Sequence, residues 1–183
     1  MQATMVNDIK KELRASMNGI LSARMREAGM PFRLIFGTEL PRLRSIADEF
    51  PRDAALAESL WQQNIRETRL LAIMLMPPGS FSKETASRWA ETMLTAEEAQ
   101  VMSMVLLPET EDAKDVCTAW LKEGRPLPSV CACLCLRRLL MCGTELTDEE
   151  RKVIAESTAS MLPTAGLHLR KAIQTLKDAL NEK

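Results

Sequence analysis

The chain has 183 residues, 46% hydrophobic and 27% charged, with a formal net charge of −1, which suits one globular domain and lacks the strongly basic balance of a protein that grips phosphates over a wide footprint. Its longest apolar run, Leu70 to Met76, is far short of the roughly 20 residues a membrane span requires. The N-terminus soon reaches Asp8, Lys10, Lys11 and Glu12 without the apolar core of a secretory signal, so a cytoplasmic protein with no membrane contact is expected.

In chain order, Met5, Ile9, Leu13, Met17, Ile20 and Leu21 recur at helical spacing and predict one helix, ended by Gly29-Met30-Pro31. A short helix follows Thr38, marked by Leu40, Leu43, Ile46, Ala47 and Phe50. Asp53 to Pro77 then holds two helices, the first ending around Trp61 and the second running from Ile65 to Met76, where Pro77-Pro78-Gly79 stops it. Ser82 to Met93 is the next first helix, and Thr95-Ala-Glu-Glu98 is a capping box that opens its partner, which runs to Leu107. Glu111 to Glu123 pairs with Pro128 to Cys142 across Gly124-Arg-Pro126. A second capping box, Thr147-Asp-Glu-Glu150, opens a helix that Met161-Leu-Pro163 separates from the last, Thr164 to Leu180.

Trp61, Trp89 and Trp120 recur 28 and 31 residues apart, each in the first helix of a pair. No stretch alternates with period two, so the chain is all-α. A recurrence of this length built from paired helices marks a right-handed α-α superhelix, a HEAT- or armadillo-like solenoid, in which one pair buries its apolar face only by stacking on the next. The expected organisation is a single domain over residues 1–183. Residues 1–50 form N-terminal helices, and 52–79, 82–108, 110–143 and 147–182 form about four helix-pair repeats. Three core tryptophans at similar intervals in another helical bundle is the competing reading of the same spacing.

Five cysteines stand at 117, 131, 133, 135 and 142. On a helix Cys131 and Cys135 share a face with Cys142 two turns on, while Cys133 points elsewhere, which reads as a core stripe of reduced thiols. A turn-borne Cys-x-x-Cys with distant partners, as zinc sites prefer, does not occur, and neither metal nor cofactor is expected. His168, the one histidine, lies among Leu167, Leu169 and Ile173 and reads as a half-buried structural residue. The phosphate loop, the dinucleotide turn, the His-Glu-x-x-His helix and the Gly-x-Ser-x-Gly elbow are all missing. Of the carboxylates, Glu97 and Glu98 form a pair, and Glu98 is already engaged as the capping partner of Thr95.

The charge distribution says more than the net value. Residues 95 to 123 hold seven acids against two lysines, whereas second helices carry basic pairs: Arg66 with Arg69, Arg137 with Arg138, and Arg170 with Lys171. Because the second helices of such solenoids line the inner wall, these six cations would form a broken positive track for phosphates. The alternative is that they only solvate helix faces, Arg66 having Glu67 beside it.

Leu56-Ala-Glu-Ser-Leu-Trp61 followed by Ile65-Arg-Glu-Thr-Arg-Leu-Leu-Ala72 resembles the "LAeeLW…REaRllAl" opening of the DNA alkylation repair proteins, HEAT-like-repeat DNA glycosylases of the alkylpurine glycosylase D type. In the same order, Arg88-Trp89 resembles that family's "rW", Leu136-Arg137-Arg138-Leu139 its "W-x-R-R-x-a" helix, and Leu169-Arg170-Lys171-Ala172-Ile173 its "vrKAIgWaLr" element. The resemblance spans roughly residues 33 to 180. It implies a cradle that holds duplex DNA in its concave groove and releases 3-methyladenine or 7-methylguanine, with a carboxylate and aromatic side chains stabilising an oxocarbenium-like transition state. Where the family has "WDlcD", however, this chain reads Thr95-Ala96-Glu97-Glu98-Ala99, and its "KAIgW" is Lys171-Ala-Ile-Gln-Thr175. Losing one positioned transition-state group typically lowers turnover by about 10² to 10³. Glu97 and Glu98 are thus weak catalytic candidates. Two expectations follow: a DNA-binding repair-type protein using Arg66, Arg69, Arg137, Arg138, Arg170 and Lys171, or a non-catalytic HEAT-repeat scaffold for a protein partner. Which of Arg137 and Arg138 faces the groove is left open by the pattern.

Overall fold

A computed structural model describes residues 2–181 and shows eleven α-helices among them, with no strand beyond one isolated bridge between Leu34 and Ile65. The chain packs as two units, Met1–Ser80 and Phe81–Lys183. The division falls between the predicted repeats 52–79 and 82–108.

The first unit holds α1 (Gln2–Ala15), α2 (Gly19–Glu27), α3 (Leu40–Asp48), α4 (Ala54–Trp61) and α5 (Arg66–Leu75). The single N-terminal helix expected from periodicity is in fact two. Asn18 leaves helical geometry and accepts the Leu21 amide through its side chain, starting α2 afresh. Met17 and Ile20, which seemed to continue the apolar stripe, are exposed on either side of that break. Every residue of α5 is buried, packed against α3 and α4. The chain leading into α3 closes over the start of α5: the Arg66 amide donates to the Leu34 carbonyl, and the Asn64 side chain accepts the Arg33 amide. Gly37 supplies the left-handed turn there, with φ 78°. A Cβ at this position would run into the Asn18 carbonyl and the Ser22 amide, so only glycine fits.

In the second unit, α6 (Lys83–Thr92), α8 (Ala113–Glu123) and α10 (Asp148–Met161) alternate with α7 (Ala96–Val105), α9 (Pro126–Met141) and α11 (Leu167–Asn181). They sort into two layers. Helix α9 lies between α7 and α11 and rests on α8, which in turn packs against α10. Ion pairs tie the α6–α8–α10 layer on its outside, Lys83 to Asp112 and Asp115, and Lys114 to Glu150. Trp89 and Trp120 are buried beneath, and Phe81 meets Trp89 edge-on with ring centroids 5.3 Å apart. Both capping boxes form as read, on Thr95 with Glu98 and on Thr147 with Glu150. Helix α9 begins two residues earlier than expected, at Pro126, whose fixed φ and missing N–H suit a first helical position.

Because α9 touches α7, α8 and α11, its first half is buried nearly all round, and the expected cysteine stripe changes accordingly. Cys133 joins Cys117, Cys131 and Cys135 in the core, while Cys142, the C-cap of α9, is exposed. Burial raises the thiols: Cys133 is pushed up to about 12, and Cys117 and Cys131 well above the usual range.

Candidate nucleic-acid interface

Of the six cations singled out by sequence, the two in the first unit are not surface groups. Arg66 is 2% exposed, and its Nη1 donates to the Thr38 carbonyl at 2.9 Å and to Glu67 Oε1 at 2.9 Å. Glu67, fully buried, also accepts the amides of Phe36 and Gly37 at 3.0 and 2.9 Å. Arg69 is 5% exposed; its guanidinium lies 3.8 Å from the Trp61 ring centroid, and Nη1 donates to the Trp61 carbonyl. These two arginines hold the α3–α4–α5 packing together, so the expectation that they contact phosphate is corrected. The cause is the all-round burial of α5, which gives its polar first turn internal partners.

The remaining cations lie in the second unit. Arg137 and Arg138 are both exposed on α9 and both line a shallow groove of about 590 Å³ shared with Gln100, Ser103 and Met104 of α7. Arg137 also reaches a second groove, of about 240 Å³, toward Thr175 and Asp178 of α11. Thus both arginines face this surface, with Arg137 shared by the two grooves. Lys171 is exposed on α11 in a smaller depression of about 110 Å³, with Gln100, Leu134, His168 and Thr175. Arg170 stands apart, its Nη2 donating to the Ala165 carbonyl at the start of the helix.

The surface follows from helical spacing. Gln100 and Met104 on α7, Leu134, Arg137, Arg138 and Met141 on α9, and His168, Lys171, Thr175 and Asp178 on α11 fall at steps of three and four residues, opposite the sides that bury Met102, Leu136 and Ile173. His168 is therefore exposed on the same face as Lys171 and not half-buried. Its neighbour Leu169 takes the core position of that turn. Asp178, absent from the sequence-level candidates, brings a carboxylate beside Arg137 and accepts a hydrogen bond from Gln174 Nε2 at 2.7 Å. A three-to-four-residue stripe continued from Lys171 through Thr175 would have found it.

The candidate carboxylates fare differently. Glu98 is fully buried, and its Oε2 accepts the amides of Leu94 and Thr95 at 2.6 and 2.9 Å. Glu97 is half-buried on the first turn of α7. Thr175, where the resemblance implies an aromatic, turns its hydroxyl back to the Ala172 carbonyl. Chemically this surface offers two guanidinium forks and an ammonium, groups that bind phosphate oxygens. No helix among the described residues is long and apolar enough to cross a membrane.

Residues 9–174 match the family model described as DNA alkylation repair enzyme. No curated protein matches. A solved structure described as "a new family of proteins related to the HEAT-like repeat DNA glycosylases with affinity for branched DNA structures" is similar over 95% of this chain and 74% of that one, with 17% identity and a TM-score of 0.80. The fold is accordingly an all-α HEAT-like repeat fold.

Proposed function

The chain belongs to the DNA alkylation repair enzyme family, and from that premise we propose that it binds DNA through the α7–α9–α11 face of its second unit, with base excision no longer its chemistry. The gathering of Arg137, Arg138 and Lys171, all exposed, on adjacent helices carries this reading. Such cations bind phosphates without reading sequence, and releasing the counterions of DNA drives the association. Affinity for branched DNA in a protein of the same fold supports DNA, with duplex arms included, as the partner class. Against excision stands Glu98, whose carboxylate is committed to backbone amides inside its helix cap.

The exposed thiol of Cys142, which lines the same groove as both arginines, locates binding directly. A fluorophore attached to Cys142 should change emission saturably on titration with duplex DNA, and the change should weaken in Arg137→Ala and Arg138→Ala. DNA bound at unchanged affinity with no response of the label would place binding elsewhere. A complete lack of DNA binding, together with saturable capture of a folded protein, would favour the scaffold reading.

A further inference from the structure

His168 is the single histidine of the chain, and the phosphate contacts proposed above do not use it. It is exposed on α11, one turn before Lys171, and lines the 110 Å³ depression with Lys171, Thr175, Gln100 of α7 and Leu134 of α9. The core does not hold it there, since Leu169, Ala172 and Ile173 fill the buried side of this turn. Nor does any hydrogen bond or ion pair among the described residues engage its ring. About 4.5 Å along the helix axis separates it from Lys171, so a phosphate that meets the ammonium meets the imidazole as well.

Imidazole differs from the other cations of this surface because its charge is conditional. A neutral ring offers a phosphate one N–H donor and no charge, whereas a protonated ring offers two donors and a positive charge. A phosphate beside the ring therefore selects the protonated form. Linkage is reciprocal, so protonation must in turn strengthen the hold on DNA.

We propose that His168 is a conditional phosphate ligand: duplex binding at the α7–α9–α11 face takes up a proton on His168, and affinity rises as the pH falls through the neutral range. This rests on the DNA-binding reading above. The surrounding groups isolate the effect. On α11 the charged neighbours are Arg170, Lys171 and, farther along, Asp178; α9 contributes Arg137 and Arg138 beyond the apolar Val130 and Leu134, and α7 contributes the uncharged Gln100 with Glu97 one turn before it. Lysines, arginines and carboxylates ordinarily titrate outside a window of about pH 5.5 to 7.5, which leaves one histidine to change its charge within it.

The test measures affinity for a labelled duplex by fluorescence anisotropy, at fixed salt, across that window. As the pH falls, wild-type affinity should rise about fivefold, the size expected when an opposite charge favours the protonated ring by about tenfold. His168→Gln, neutral throughout, should bind equally at every pH. His168→Lys, cationic throughout, should also show no pH dependence and should hold the duplex at neutral pH more tightly than His168→Gln does. Circular dichroism checks the fold of both variants. Calorimetric titration in two buffers of different ionisation enthalpy should show uptake of about half a proton per wild-type complex near neutral pH, and none with His168→Gln. A wild-type affinity that does not rise on acidification, or a rise that persists in His168→Gln, would overturn the role of His168 and leave the DNA-binding reading standing. Failure of the wild-type protein to bind duplex at any pH in the window would overturn both.

Discussion

At the scale of single residues, Arg66, Glu67 and Arg69 are the instructive group. Glu67 takes three hydrogen bonds in full burial, from the Phe36 amide, the Gly37 amide and Arg66. Removing it takes an acidic partner from the buried Arg66 guanidinium, which keeps the Thr38 carbonyl, and Glu67→Ala should destabilise the first unit by about 3–5 kcal/mol; chemical denaturation measures this, and a loss below about 1 kcal/mol would mean that the network is dispensable. In this family-like segment the two arginines are therefore buried and have internal partners. Sequence could not reveal this, because an arginine three residues from another looks the same on a helix with one wet face as on a helix with none. The cysteines make the same point. A maleimide should label one thiol quickly in the folded protein, Cys142, and five on unfolding, since Cys117, Cys131, Cys133 and Cys135 are buried and the first three of these are held protonated by burial. Rapid labelling of a second thiol in native protein would contradict the packing of α9.

At the scale of elements, most boundaries were legible because their causes are local. Ser82, Thr95 and Thr147 each accept an amide three residues on, and Gly124 ends α8 in the left-handed conformation. The division between α1 and α2 was missed for an equally local reason, since Asn18 is a good cap whose effect the apolar period concealed. The cap of α10 also carries a pH dependence. Donation by the Thr147 amide, assisted by the Lys114 ammonium, holds the Glu150 carboxyl below its ordinary value of 4.5. A carboxyl depressed in the folded state stabilises above its unfolded pKa, and that contribution disappears as the pH falls through the folded one. Glu150→Gln should therefore melt lower than wild type at pH 7, and the gap should close as the pH drops below about 4.5. A gap constant from pH 7 to pH 3 would show that the charge is not what matters.

For the whole molecule, the helix pairs and their family were legible, because stop signals, capping boxes and recurring tryptophans lie along the chain. The surface proposed to bind DNA was legible only in part. Arg137, Arg138 and Lys171 emerge on one face, but Met104, Met141, His168 and Asp178 join them through the side-by-side packing of α7, α9 and α11, which no single helix announces. Methylated duplex DNA incubated with the protein should release free 3-methyladenine and 7-methylguanine at the rate of a protein-free control. Release above that rate, lost in Asp178→Asn or Glu97→Gln, would restore an excision chemistry to this fold.

The most direct test of the central claim is the salt dependence of DNA affinity. If Arg137, Arg138 and Lys171 supply the phosphate contacts, log affinity against log salt should have a slope of about −2.7 for the wild-type protein, shallower by about 0.9 for each cation replaced with alanine. Slopes identical in wild type and in the triple variant would contradict the account.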